Sequence, residues 1–193
     1  HVLSDEMKKE YGEEFVTVCL AGTSGDINNI NPKYGMDMPQ DTYIKMGKTL
    51  KEACVKALSS AEPIGEGLFS RKELTELPRR ILTDDEAISE IKRMADEKDI
   101  TAIRNLCYYQ ACVKGSTAKY YLQYIKIGNT AIYAYPGEIF VYFGLYIKEH
   151  AETVNNIVCS FSNGGCGYVA TREAYAENSL LYERNLSIGA CLA

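Results

Sequence analysis

The sequence has 193 residues, 46% of them apolar and 24% charged, with a net charge of −5. This is globular composition and enough chain for one good core or two very small ones. Apart from Arg79-Arg80 the Lys and Arg residues are scattered, so there is no basic stripe for nucleic acid and no polybasic membrane anchor. No apolar run approaches the ~20 residues that span a bilayer. The first residue is His1 rather than Met and the last six, Ile188 to Ala193, are apolar; both ends read as cuts, which leaves a leader segment undecided.

Seven cysteines are present. Several, such as Cys19 and Cys159, sit inside apolar runs, and buried thiols behave as small hydrophobes. Neither Cys107/Cys112 nor Cys159/Cys166 has zinc-ribbon spacing. Cysteine usage of this kind suits a reducing compartment and a cytoplasmic protein.

Along the chain, residues 4–12 predict a helix, with Ser4 as cap and Gly12 as stop. Phe15 to Leu20 is an almost unbroken apolar run and predicts a buried strand. It opens into a polar loop, Ala21 to Asn29, that contains Gly25, Asp26 and Asn28. Residues 39–60 predict a second helix that buries Tyr43, Gly47, Leu50, Cys54 and Ala57, with Pro39 at its start. Residues 63–78 predict an extended segment. Residues 84–97 and 99–113 predict a helical pair, the first burying Ile88, Ile91 and Ala95, and the pair covers part of the core.

Lys119–Ile127 and Thr130–Tyr135 predict a hairpin closed by Gly128-Asn129 in a type II′ turn. The second strand runs into Pro136-Gly137-Glu138 and then a helix with Ile139, Phe140, Phe143, Ile147 and Ala151 on one face. Residues 156–161 predict another buried strand, opening into Ser162 to Tyr168. A short helix is expected near Glu173. The economical architecture is α/β: a mixed sheet flanked by helices, with functional loops at strand ends, in one domain or the C-terminal part of one.

Three apolar strands thus end in polar loops, one reaching Asp26, one Glu138 and one Asn163 to Tyr168. If the strands share a sheet, the loops meet. Each residue has two readings. Glu138 at a helix N-terminus complements the helix dipole, or is a metal ligand held by the Pro-Gly turn. Tyr168 is a packed tyrosine, or a phenol beside a metal that coordinates it or donates to a developing oxyanion. Asp26 and Asn28 bond their own turn, or orient a ligand. Only His1 and His150 are available as imidazoles, and His150 is placed to face solvent or complement a helix C-terminus. There is no His-Glu-x-x-His motif, no Gly-x-Ser-x-Gly elbow and no phosphate loop.

The order of motifs carries a resemblance. Gly22-Thr23-Ser24-Gly25-Asp26-Ile27-Asn28 follows an apolar run. An Ile127-Gly128-Asn129 hairpin leads to Tyr135-Pro136-Gly137-Glu138. Ser162-Asn163, then Gly167 to Tyr175, then Tyr182-Glu183 complete the series. From about residue 3 to residue 190 the chain resembles the C-terminal portion of the catalytic domain of neutral/alkaline, non-lysosomal ceramidases and their bacterial relatives.

The resemblance implies a zinc-dependent amidase whose metal is held by two histidines, a glutamate and a tyrosine. The glutamate falls on Glu138 and the tyrosine on Tyr168. The two histidines belong to a region N-terminal to this chain, so the piece supplies half of the ligands. The family's serine, thought to take part in attack on the amide, falls on Asn28. Asparagine is not a nucleophile, which points to metal-activated water and puts ceramide itself in question as substrate.

The expected catalytic residues are therefore Asp26, Asn28 and Tyr168. The expected metal ligands are Glu138 and Tyr168, and the expected substrate-binding residues Asn163 and Arg172. The expected partner is a small-molecule or lipid-like amide substrate, with a homo-oligomer or association with the N-terminal portion completing the site. Family members are typically secreted or surface-exposed, against the cysteine evidence. The alternative is a non-catalytic ligand-binding or structural domain on the same scaffold.

Overall fold

A computed structural model of the chain describes residues 1–28, 39–112 and 115–176. Tyr182-Glu183 and Cys191 lie outside the described residues. The chain forms two compact units, residues 1–20 with 28–64, and residues 21–27 with 65–193.

The first unit holds helices α1 (Val2–Tyr11) and α2 (Thr42–Ser59). Helix α1 ends at Gly12, as expected, but its N-cap position is His1, and Ser4 lies within the first turn. Met7 is its buried residue, and Lys51 of α2 reaches Glu10 at 2.7 Å. The expected stripe on α2 is only partly realised: Gly47 is buried and Cys54 half-buried, whereas Tyr43, Leu50 and Ala57 are exposed. Packing on a single helix covers a narrow seam, not the wide face that a full core requires.

Phe15 to Leu20 corrects the sequence reading. It joins no sheet among the described residues, and Val16 and Val18 are 78% and 77% exposed. An apolar run becomes a buried strand only where neighbouring strands satisfy its amides. Cys19 is correspondingly exposed rather than buried.

The second unit is built on a mixed four-stranded sheet in the order β1-β2-β3-β5. Strands β1 (Leu68–Pro78) and β2 (Thr117–Ile127) pair antiparallel over their whole length, so the expected extended segment is a regular strand. Strand β3 (Thr130–Ala134) continues the hairpin, with Gly128 at φ 55 as the first central residue of the turn. Strand β5 (Asn155–Cys159) lies parallel to β3, and helix α5 (Val141–His150) makes the crossover that a parallel pair needs and packs on β5. His150 closes α5, its Nδ1 2.9 Å from the Tyr146 carbonyl oxygen and its ring stacked on that of Tyr146.

Between β1 and β2 lie α3 (Asp84–Asp96) and α4 (Ile100–Cys112). They have a core of their own, made of Met94, Ala102, Leu106 and Tyr109 with Leu82, Ile91 and Ile103 against it. Ala87 and Met94 are buried on α3, whereas Ile88 and Ala95 are exposed, so the helix is rotated from the predicted face toward its helical partner. Tyr109 donates its hydroxyl to the Arg80 carbonyl at 2.7 Å.

Helix α3 starts in a capping box. Glu86 N–H donates to the Thr83 hydroxyl, and the Glu86 carboxylate accepts from Thr83 N–H at 2.8 Å. Those bonds from Thr83, the backbone one first, hold the Glu86 carboxyl below its ordinary range. Replacing Thr83 by Ala is expected to cost about 1 kcal/mol in urea denaturation. The contribution of Glu86 is present above the ordinary glutamate pKa and is lost as pH falls through the depressed one.

Candidate functional site

Glu138 does not stand at a helix N-terminus. It opens a two-residue strand, β4 (Glu138–Ile139), and α5 begins at Val141; Ile139 and Phe140 are buried ahead of the helix instead of on its face. Strand β4 pairs in parallel with β6 (Tyr168–Val169), and Glu138 and Tyr168 are direct register partners. Partners in a parallel ladder present their side chains on the same face, about 4.8 Å apart. Glu138 N–H donates to the Gly167 carbonyl at 2.7 Å, and Phe140 N–H to the Val169 carbonyl at 3.1 Å.

The other edge of β4 meets the loop from residues 21 to 26. Gly25 N–H donates to the Ile139 carbonyl at 2.9 Å, and Asp26 Oδ1 accepts from Val141 N–H at 2.7 Å. Asp26 therefore caps α5 from 115 positions away, a place that Phe140 at the N-cap position cannot fill. The loop passes close enough that a Cβ on Gly25 would overlap the Glu138 carbonyl oxygen.

The third loop, residues 160–167, folds back on the Tyr135–Gly137 turn. Phe161 N–H donates to Gly137 O at 3.0 Å and Ser162 N–H to Tyr135 O at 2.9 Å. The Cys166 thiol donates to Pro136 O at 3.2 Å. Ser160 N–H reaches Ala21 O at 2.9 Å, so the first and third loops touch as well. Phe161 and Asn163 both take left-handed backbone conformations, at φ 55 and 61. Asparagine tolerates this; for phenylalanine it is strained, and such strain concentrates at functional loops.

The three loops expected to meet do meet, although the ladder that joins Glu138 to Tyr168 is a separate small sheet. Asn163 is exposed and donates from Nδ2 to Gln123 Oε1 at 3.2 Å. That bond ties the third loop to a cleft of about 160 Å³ lined by Gln123, Tyr124, Tyr133 and Tyr135 among others. Burial pushes the phenol of Tyr135 above its ordinary pKa. Arg172 is exposed at the first position of α6 (Arg172–Ala176). Asn28 is exposed and belongs to the first unit.

Gln123 and Cys166 were not marked as site residues by sequence reasoning, and Gly25 was marked only as part of its loop. The one usable signal was negative: Ile139-Phe140-Val141 offers a helix start with no local capping side chain, so its cap had to come from elsewhere.

For zinc, the oxygens of Glu138 and Tyr168 are a chemically suitable donor pair on adjacent strands. They are two where such sites take three or four protein ligands, and among the described residues no three His, Cys, Asp or Glu side chains gather into a metal-binding group. By themselves Glu138 and Tyr168 are fewer donors than a zinc site requires.

Fold and loops together define an α/β scaffold on which three loops meet. No protein-family model matches the sequence, and neither does any curated protein. Solved structures do match. The chain is similar to the neutral ceramidase from Pseudomonas aeruginosa, with a TM-score of 0.58 and 17% identity over 92% of this chain and 35% of that one. It is similar also to a ceramidase complexed with C2, with a TM-score of 0.62 and 16% identity over all of this chain and 38% of that one. The chain has the fold of part of these ceramidases and spans little more than a third of their length.

Proposed function

We propose that the chain is the portion of a ceramidase-like, zinc-dependent hydrolase that contributes Glu138 and Tyr168 as metal ligands, acting on an amide or related carbonyl bond. The register pairing of Glu138 with Tyr168 carries this reading, because it joins the two residues on which the family resemblance places ligands. The likeness in fold to two ceramidases supports it. The remaining ligands are the two histidines that the resemblance assigns to a preceding region.

When bound, zinc polarises a carbonyl and lowers the pKa of water to about 7. Within this chain, Glu138 would supply anionic charge to hold the cation, and Tyr168 would supply a phenol oxygen to it. Asn163, its amide nitrogen engaged by Gln123, offers its carbonyl as an acceptor for a substrate N–H or O–H. Arg172 serves an anionic group on the substrate. An amide at Asn28 cannot attack, so the nucleophile is water.

The test is elemental analysis of the full-length parent protein and of its Glu138→Ala variant. About one zinc per chain in the parent and loss in the variant are expected for a site of this type. No zinc in the parent after reconstitution would shift the reading to a non-catalytic binding domain.

A further inference from the structure

We infer that Gly25 and Asp26 form a positioning latch that sets Glu138 against Tyr168, so that Asp26 is a positioning residue and not a catalytic one. The inference rests on reading Glu138 and Tyr168 as ligands, and it deepens that reading by naming what fixes their geometry. Strands β4 and β6 are two residues each, too short to define a register by themselves. Strand β4 is instead gripped from both edges. On one side Glu138 N–H and Phe140 N–H donate to Gly167 O and Val169 O; on the other, Ile139 O accepts from Gly25 N–H.

Asp26 completes the grip. Its carboxylate accepts from Val141 N–H at 2.7 Å, a charge-assisted bond at the positive end of α5. The bond fixes the start of the helix three residues beyond Glu138 and leaves β4 no slack. Gly25 seats its backbone against the Glu138 carbonyl, where a side chain has no room.

The experiment is residue-level amide hydrogen exchange on the full-length parent protein, together with zinc titration of the same protein by calorimetry. In Asp26→Ala the Glu138 and Phe140 amides are expected to exchange about five- to thirtyfold faster, the range of a lost helix cap, while the Tyr124 amide in the main sheet keeps its protection. Asp26→Asn and Asp26→Ser, which retain an acceptor, should restore protection to within about threefold. Zinc affinity of the folded full-length parent protein should fall about tenfold in Asp26→Ala and recover in Asp26→Asn.

Unchanged exchange at Glu138 and Phe140 in Asp26→Ala would overturn the latch, as would failure of Asp26→Asn to rescue it. If the wild-type full-length parent binds no zinc but the exchange pattern holds, the ligand reading fails and the latch stands. Should Asp26→Ala not fold, Asp26→Glu takes its place with the same two outcomes, since it keeps the charge and moves the carboxylate out by one methylene.

Discussion

Gly137→Ala is expected to destabilise the second unit by about 3 kcal/mol or more and to pull Glu138 out of register with Tyr168. Two penalties act together at this position. Gly137 sits at φ 87, where a residue with a Cβ pays about 1–2 kcal/mol. A Cβ there would also lie 2.5 Å from both Cys166 Sγ and the Gly167 carbonyl oxygen, and such overpacking adds roughly 1–3 kcal/mol. The second contact matters most for the site, because Gly167 O is the acceptor for Glu138 N–H. Relief of the clash must move that carbonyl and with it the start of β6. Urea denaturation measures the loss, and amide shifts at Glu138 and Gly167 report the broken ladder. Adding Cys166→Ala should recover only part of the stability, because it removes the sulfur and leaves the carbonyl in place. Full recovery would show that the thiol alone makes the position intolerant.

Leu106→Ala is expected to cost about 2–5 kcal/mol and to do so locally, melting α3 and α4 before the sheet. Leu106 has 0% exposure and sits among Met94, Ala102 and Tyr109. A cluster this small has few atoms that can collapse into the space, so the cavity term is retained. The helical pair closes its own core, and the main sheet is held by its own ladder between β1, β2 and β3. Hydrogen exchange should therefore show lost protection along α3 and α4 with Tyr124 and Tyr133 unchanged. Loss of protection throughout the second unit would mean that the helical pair and the sheet unfold as one. Tyr109→Phe, which removes only the hydroxyl bonded to Arg80 O, is the milder companion at about 1 kcal/mol.

Some of this architecture is written locally. The β2–β3 hairpin is legible because Tyr- and Ile-rich runs flank Gly128-Asn129, and a two-residue loop leaves one choice of register. Helices α3 and α4 are legible in extent from their periodicity, but their buried faces are not. Met94 rather than Ala95 points inward because α4 packs where it does. Glu138 shows the same division. The Pro-Gly turn before it is visible in the sequence, whereas its place on a short strand instead of a helix depends on Gly167 and Val169 offering their carbonyls.

By itself the sequence determined the helix and hairpin segments, the polar loops that follow Leu20, Tyr135 and Cys159, and the order of motifs that pointed to Glu138 and Tyr168. These depend on residues a few positions apart, where backbone geometry ties pattern to structure. The tertiary structure alone decided that Phe15 to Leu20 stays outside any sheet among the described residues, that Glu138 pairs with Tyr168, and that Asp26 serves the N-terminus of α5. A ladder partner or a distant cap is chosen by register and by the closure of loops between far-separated segments. A short strand or an uncapped helix states only that it needs a partner; the packed chain supplies which one.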